Sequence, residues 1–404
     1  MVGADAGRRT NATRVQALDG IRGVAALYVV LHHCWMLTFH GYPANTGPAW
    51  LGWLVYGHLA VVAFIVLSGF SLAMAPARHG WRLDAVSHFA RRRAWRILPA
   101  YWAALTVSLL IAWAVTPQLH SRPPTDRSVV VYGLFLQDVF KAPIPNAAFW
   151  SIAVEVELYL VFPLLLLMRR RLGGVVMLGV VLLPVVVAGL LRPSLANADK
   201  LTGMAPQFAP LFAAGVLAAG VCVARERLRR MRWAWLAAAA AAPVLLLVIV
   251  NGSVWTVDHY YWIDLAISPA IALLLAALAA GQAGALTRLL TSRPLQDLGA
   301  CSYSLYLIHV PILLVVSRKL AGPIAGPGLP AFWVTVAVGA SLAVLAARQF
   351  ARVFEAPFLR DRDGAWVRTC VQKVRAGVSQ VPKLVAAVER RGASWLAFSS
   401  ERGS

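Results

Sequence analysis

LDGIRGVAALYVVLHHCW, Leu18 to Trp35, is the stretch on which the fold turns. Carried on to about residue 39, it has the roughly 20 apolar residues that a helix needs to cross the hydrocarbon core. Yet it opens with Asp19 and Arg22 and closes with His32 and His33. Runs of the same length and apolarity follow at about 54–75, 97–116, 148–168, 174–191, 206–224, 233–250, 263–281, 299–317 and 329–347. With residues 18–39 they make ten predicted spans and an all-α, polytopic membrane fold.

Composition agrees. The chain has 404 residues, 59% hydrophobic and 14% charged, with a mean hydropathy of +0.67. A soluble domain carries about a quarter charged residues. The net charge of +21 would suit a nucleic-acid binder if the basic residues were clustered without regard to the spans. They are not. With the N-terminus placed inside, the inner segments hold 31 Lys and Arg and the outer segments 7. Without the eleven in the tail from 348 the ratio is still 20 to 7. The positive-inside rule therefore predicts both termini in the cytoplasm of a multi-pass protein of the cytoplasmic membrane, and the charge needs no nucleic acid to explain it.

The expected organisation is an N-terminal arm over 1–17, a membrane domain over 18–350 and a basic tail over 351–404. In the tail Val367, Val371, Val374 and Val378 recur at helical spacing, as in a helix lying on the inner leaflet. The longest outer loop runs from about 117 to 147, and its apolar segment Val129–Gln137 is too short to span. The four cysteines, Cys34, Cys222, Cys301 and Cys370, show no metal-ligand spacing, and no metal site is predicted.

Polar groups inside a bilayer cost roughly 2.5–3.5 kcal/mol per central charge on insertion scales, so those present ask for a reason. Arg22 and His33 are eleven residues apart, which on a helix is three turns and about 20°, with an axial separation of roughly 16 Å. They share a face, and Asp19 is placed to pair with Arg22. In FWSIAVEVELYLVFP, Phe149–Pro163, the residues Ser151, Glu155 and Tyr159 share another face, while Glu157 points away toward an interface or a second helix. HFARRRAWRILPAYW, His88–Trp102, sets Arg92, Arg93 and Arg96 at the start of a span, where guanidinium groups would suit a polyanion such as a nucleotide phosphate. Ser68 and Gly69 read first as close-packing residues, and Ser304, Tyr306 and His309 as a polar group of either structural or functional use.

These blocks resemble the integral-membrane acyltransferase-3 family. Its opening motif is matched by Leu18, Asp19, Gly20, Arg22, Gly23 and His33, and a second by AFIVLSGF. A third is matched by Arg92, Arg93, Arg96, Ile97, Pro99 and Tyr101, a fourth by Trp150, Ser151, Glu155, Tyr159 and Pro163, and the last by Tyr303 to Pro311. The resemblance implies an O-acyltransferase with no bound cofactor. It would take an acyl group, often acetyl, from cytoplasmic acyl-CoA to a hydroxyl of an envelope glycan or another carbohydrate. A macrolide or other antibiotic is the alternative acceptor. It implies His33 as the catalytic residue, with Glu155 expected to orient it and Arg22, Arg92, Arg93 and Arg96 to hold the CoA phosphates. Asp19, Ser68, Tyr101, Trp150, Ser151, Tyr159, Tyr306 and His309 are expected to support the site or the substrates. A transporter for a glycolipid or small molecule is the rival of another class, since buried His, Glu and Arg also mark substrate pathways.

Overall fold

The computed structural model describes residues 2–119, 121–191 and 205–360, with side chains from Gln16 to Leu359. Every regular element among them is helical. The principal helices are α1 (Val2–Thr38), α2 (His58–Arg78), α3 (Val86–Ala114), α4 (Asp126–Gly133), α5 (Trp150–Leu172), α6 (Gly174–Leu191) and α7 (Phe208–Ala218). They continue with α8 (Trp233–Asp258), α9 (Tyr260–Ala280), α10 (Gly284–Leu290), α11 (Arg293–Ala300), α12 (Ser302–Ala325) and α13 (Leu329–Phe354). The expected tail helix lies outside the described residues.

Among the described residues nine helices are long and apolar enough to cross a membrane, and the protein is polytopic. The run expected as a tenth span, 206–224, is shorter. It is an α-helix, Phe208–Ala218, that tightens into a 3-10 turn at Ala219–Val223. Its apolarity serves the protein interior: Phe208, Leu211, Phe212, Ala213 and Val216 are fully buried. Gly215 lies against the Val66 carbonyl of α2, and Gly69 of α2 lies against the Phe212 carbonyl. A Cβ on either would stand about 2 Å from that oxygen, so two reciprocal glycines set the closeness of α2 and α7.

The helices sort into an inner and an outer set. More than half of the apolar stretches of α1, α2, α9 and α12 is buried, against 17% for α6 and α8. The outer two expose Leu183, Leu190, Leu246 and Ile249. A helix that is apolar all round and bare on the outside of a bundle has lipid for its solvent.

The opening motif explains its own glycines. Gly20 and Gly23 of α1 face α10 and α11, and Gly299 of α11 faces the Asp19 carbonyl. A Cβ at Gly20 would lie 2.0 Å from the Leu290 oxygen, and one at Gly23 would lie 2.5 Å from the Leu295 oxygen. This seam fixes the rotation of α1, and Arg22 consequently points to the other side, into the bundle.

Two boundaries differ from expectation. The span predicted at 97–116 begins at Val86, so the basic cluster is helical rather than in a loop. Val129–Gln137 forms no separate segment: α4 ends at Gly133 and the chain turns back at Leu134–Phe140.

Candidate active site

A cavity of about 290 Å³ lies between α1, α2, α3, α5 and α12. At one end stand Arg22, Ser71, Arg93 and Arg96; Ser68, Glu155 and Tyr159 follow, and Ser151, Tyr306 and Val61 close the other end. Arg22 is ion-paired with Asp19 and donates to the Ser71 hydroxyl at 2.9 Å. Arg93 and Arg96 are three residues apart on α3 and therefore share its inner face. Arg93 lies over the rings of Phe89 and Tyr159, and its Nε is buried without a hydrogen-bond partner. Arg92, one residue round the helix, is exposed and does not line the cavity, contrary to expectation.

The middle of the cavity is a side-chain network. The Tyr159 hydroxyl donates to Glu155, and the Ser68 hydroxyl lies 3.5 Å from the same carboxylate oxygen and 3.3 Å from the Tyr159 oxygen. Ser68 is thus a hydrogen-bonding residue of the cavity wall, beyond the packing role read from sequence. Ser151 and Tyr306 bond hydroxyl to hydroxyl at 2.7 Å.

Among the described residues no hydrogen bond joins Glu155 to His33, the pairing expected from sequence. The group bonded to His33 is His309: its Nε2 lies 3.2 Å from His33 Nδ1. Both rings are wedged among helices, and the tautomers follow from the carbonyls around them. His309 Nδ1 faces the carbonyls of Leu305 and Tyr306 at 3.0 and 2.8 Å, and His33 Nδ1 faces that of Val29 at 2.9 Å. A carbonyl only accepts, so in each neutral ring Nδ1 carries the proton. His309 Nε2 then offers a lone pair to His33 Nδ1–H, and His33 Nε2 keeps its own lone pair. Neither imidazole lines the cavity; they lie just beyond it, behind Tyr306, whose ring centre is 5.8 Å from that of His309.

Two other expected residues lie elsewhere. Tyr101 is buried against Phe135 and Phe149, and its hydroxyl donates to the Tyr132 carbonyl at 2.8 Å; it ties down the segment after α4. Trp150 does not line the cavity; it stacks on His58, with Phe208 tilted against it. Glu157 is partly exposed on the side of α5 facing Asp138.

The structure also brings in residues not named for the site from sequence. Ser71 lines the cavity, as does Tyr303, which opens the last motif, and the buried Glu355 accepts from Ser304 at 2.8 Å while attracting Arg96. The half-buried His58 pairs with the buried Asp264, with Nε2 at 3.0 and 2.9 Å from the two carboxylate oxygens. Asp264 was findable, as a lone carboxylate in an apolar span. Nothing local marked His58, which opens α2.

Comparison with known proteins agrees with this architecture. The Acyl_transf_3 family model, an acyltransferase domain, matches residues 15–348. A Bacillus subtilis (strain 168) protein, YrhL, with a provisional assignment as peptidoglycan O-acetyltransferase, is 27% identical over 79% of this chain and 51% of its own length. The chain thus spans about half of that relative. Acyltransferase MdmB of Streptomyces mycarofaciens is 28% identical over 82% of this chain and 87% of its own. O-acetyltransferase OatA of Staphylococcus aureus is 26% identical over 37% of this chain and 24% of its own. No solved structure matches. The chain belongs to the acyltransferase-3 family, and its multi-pass membrane region is that family's acyltransferase domain.

Proposed function

We propose that the protein moves an acyl group, acetyl in the first instance, from acyl-CoA to a hydroxyl of a glycan, with His33 as general base. The observation that carries this reading is the cavity itself. It has three arginines at one end and, at the other, a tyrosine beyond which two hydrogen-bonded imidazoles lie. The guanidinium groups of Arg22, Arg93 and Arg96 supply the charge that a nucleotide pyrophosphate needs, and the unpartnered Arg93 Nε is a free donor at that end. The narrow remainder suits the pantetheine arm, which brings the thioester to Tyr306.

His33 Nε2 then takes the proton of the acceptor hydroxyl as its oxygen attacks the thioester carbonyl. The tetrahedral intermediate collapses, the carbon–sulfur bond breaks, and the imidazolium returns the proton to the departing thiolate. Ester and free CoA thiol are the products. His309 accepts from His33 Nδ1–H throughout and so favours the tautomer whose Nε2 is basic. Glu155, with Tyr159 and Ser68, holds the polar wall between the arginines and Tyr306.

The charge bias supports a cytoplasmic membrane protein with both termini inside, a topology in which the shorter α7 with its 3-10 turn is the tenth crossing, and it turns the arginine end toward cytoplasmic acyl-CoA. The provisional assignment of YrhL favours an envelope glycan as acceptor, and a macrolide or other antibiotic, the alternative that the family resemblance implies, is the second reading. The test is thiol release from acetyl-CoA by detergent-purified protein, wild type beside His33→Ala, with acetyl-CoA binding measured in both. Release by wild type alone, with binding in both, supports the assignment; equal release by both overturns it.

A further inference from the structure

The cavity stops at Ser151 and Tyr306, and a second cluster lies just past them. On α5 the neighbour of Ser151 is Trp150, whose ring stacks on His58 with centres 5.7 Å apart and planes within 9°. On α2, His58 is one turn from Val61, which lines the cavity. The far face of His58 is covered by Tyr260 at 4.1 Å. His32 joins this cluster to the other imidazoles. Its ring meets His33 edge-on at 5.1 Å and lies against Gly57, where a Cβ would fall 2.2 Å from the ring. His33 and His58 therefore stand on either side of His32 at the same end of the cavity, opposite the arginines.

We infer that His58, held by Asp264 between Trp150 and Tyr260, is the binding site for the acceptor hydroxyl, and that the acceptor is a polyhydroxylated ring compound. The inference rests on the acyl-transfer reading given above. Asp264 is wholly buried and its carboxylate only accepts, so His58 Nε2 carries a proton and donates to it. In the neutral ring Nδ1 is left with a lone pair, and no hydrogen bond engages it among the described residues. That atom can accept from a hydroxyl.

The Tyr260 hydroxyl is buried and faces the Tyr42 hydroxyl without reaching ordinary hydrogen-bond distance, so an acceptor on a ligand can still compete for it. Buried polar groups in native proteins are nearly always paired, and one that is not asks for a ligand. His58 covers one face of each of Trp150 and Tyr260, and what these half-buried rings leave uncovered is the flat apolar surface available to the C–H side of a sugar-like ring. Donor and acceptor would then meet from opposite ends, with His33 between them. Asp264 touches no substrate in this scheme and is a positioning residue.

The experiment uses the full chain in detergent with labelled acetyl-CoA, and as acceptor probes a soluble muramyl disaccharide and a macrolide glycoside. Acetyl-CoA binding and slow hydrolysis report the donor half, and label transfer to the probe reports the acceptor half. His58→Gln and Asp264→Asn should raise the acceptor KM about tenfold or more, with acetyl-CoA affinity and hydrolysis within twofold of wild type. Tyr260→Phe guards against misfolding: it keeps the ring stacked on His58 and removes only a hydroxyl with no partner at ordinary hydrogen-bond distance, so a purely structural role predicts little change, and the inference predicts a raised acceptor KM. An unchanged acceptor KM in Tyr260→Phe and Asp264→Asn, or a loss of acetyl-CoA affinity in either, overturns the site. So does a wild type whose thiol release neither probe accelerates. A wild type that binds no acetyl-CoA and releases no thiol instead overturns the acyl-transfer reading itself.

Discussion

His309 Nε2 lies 3.2 Å from His33 Nδ1, and each ring already turns its Nδ1 to a carbonyl of its own helix. The pair has one consistent arrangement of protons, and it leaves the unshared lone pair of His33 on Nε2. This makes His309 a positioning residue for the proposed base, and the role can be tested apart from stability. His309→Gln keeps an oxygen acceptor near His33 Nδ1 and should retain about a tenth of the wild-type kcat, whereas His309→Leu should fall about 100-fold. The rate–pH profile should change shape in both, with KM for acetyl-CoA steady. A His309→Leu enzyme with wild-type kcat and profile would remove His309 from the mechanism.

Loss of the base itself should be more severe. His33→Ala is expected to lower thiol release by 100-fold to 10,000-fold, the range that a positioned general base contributes. Acetyl-CoA binding, measured by calorimetry, should survive, because Arg22 is about 16 Å away along α1 and Arg93 and Arg96 stand with it at the same end of the cavity.

The two faces of α3 should respond differently. Arg93→Gln and Arg96→Gln remove charge from the cavity, and a charge-assisted hydrogen bond is worth about 1.5–3 kcal/mol. KM for acetyl-CoA should rise about 10-fold to 100-fold in each. Arg92→Gln, on the exposed side, should stay within about twofold of wild type. A large Arg92 effect with small effects at Arg93 and Arg96 would mean that the donor does not enter by this cavity.

The α1–α11 seam gives a stability prediction. Gly23→Val places a side chain against the Leu295 carbonyl, where even a Cβ would stand 2.5 Å away. Overpacking of this kind costs about 1–3 kcal/mol. The melting temperature in detergent should fall, and activity should fall with it because Arg22 turns as α1 shifts.

Outside the spans, Asp138 carries a pH signature. Burial, and secondarily the nearby Glu157, push its carboxyl up to about 7, and one of its oxygens is buried without a partner. The folded state therefore holds this proton more tightly than the unfolded chain does. The contribution to stability is full below the unfolded value of 3.8 and is lost as pH rises toward 7. Asp138→Asn should melt above wild type at pH 8, by about 1 kcal/mol once solvent screening is allowed for, and the gap should close near pH 4. A gap that widens toward acid pH would reverse the sign and the explanation.

How far the site was legible depended on whether a residue's role lay within one helix. The Arg22–Asp19 pair and the common face of Ser151, Glu155 and Tyr159 follow from spacing alone, and the structure has both. The Arg93 and Arg96 side chains needed only the helix start, which the apolar run put eleven residues late because the basic first turns of α3 mask it. The partner of His33 is a matter between helices. Glu155 and His309 were equally available from sequence, and only the packing of α12 against α1 chose His309. Tyr101 looked like a site residue through its neighbours in sequence, yet its hydroxyl is spent on the Tyr132 carbonyl.

The sequence by itself determined a membrane-embedded helical protein and the polar faces of single helices, because hydrophobic length and the 3.6-residue period are local quantities, and its motif blocks carried the resemblance to the family. Tertiary structure alone decided which faces meet. Close glycine contacts at Gly20, Gly23, Gly69 and Gly215 set the rotations and separations of α1, α2, α7 and α11. Those rotations placed His33 on His309 and His58 on Asp264, residues 276 and 206 positions apart in the chain. Pairings over such distances are fixed by how whole helices pack, and no spacing within one helix encodes them.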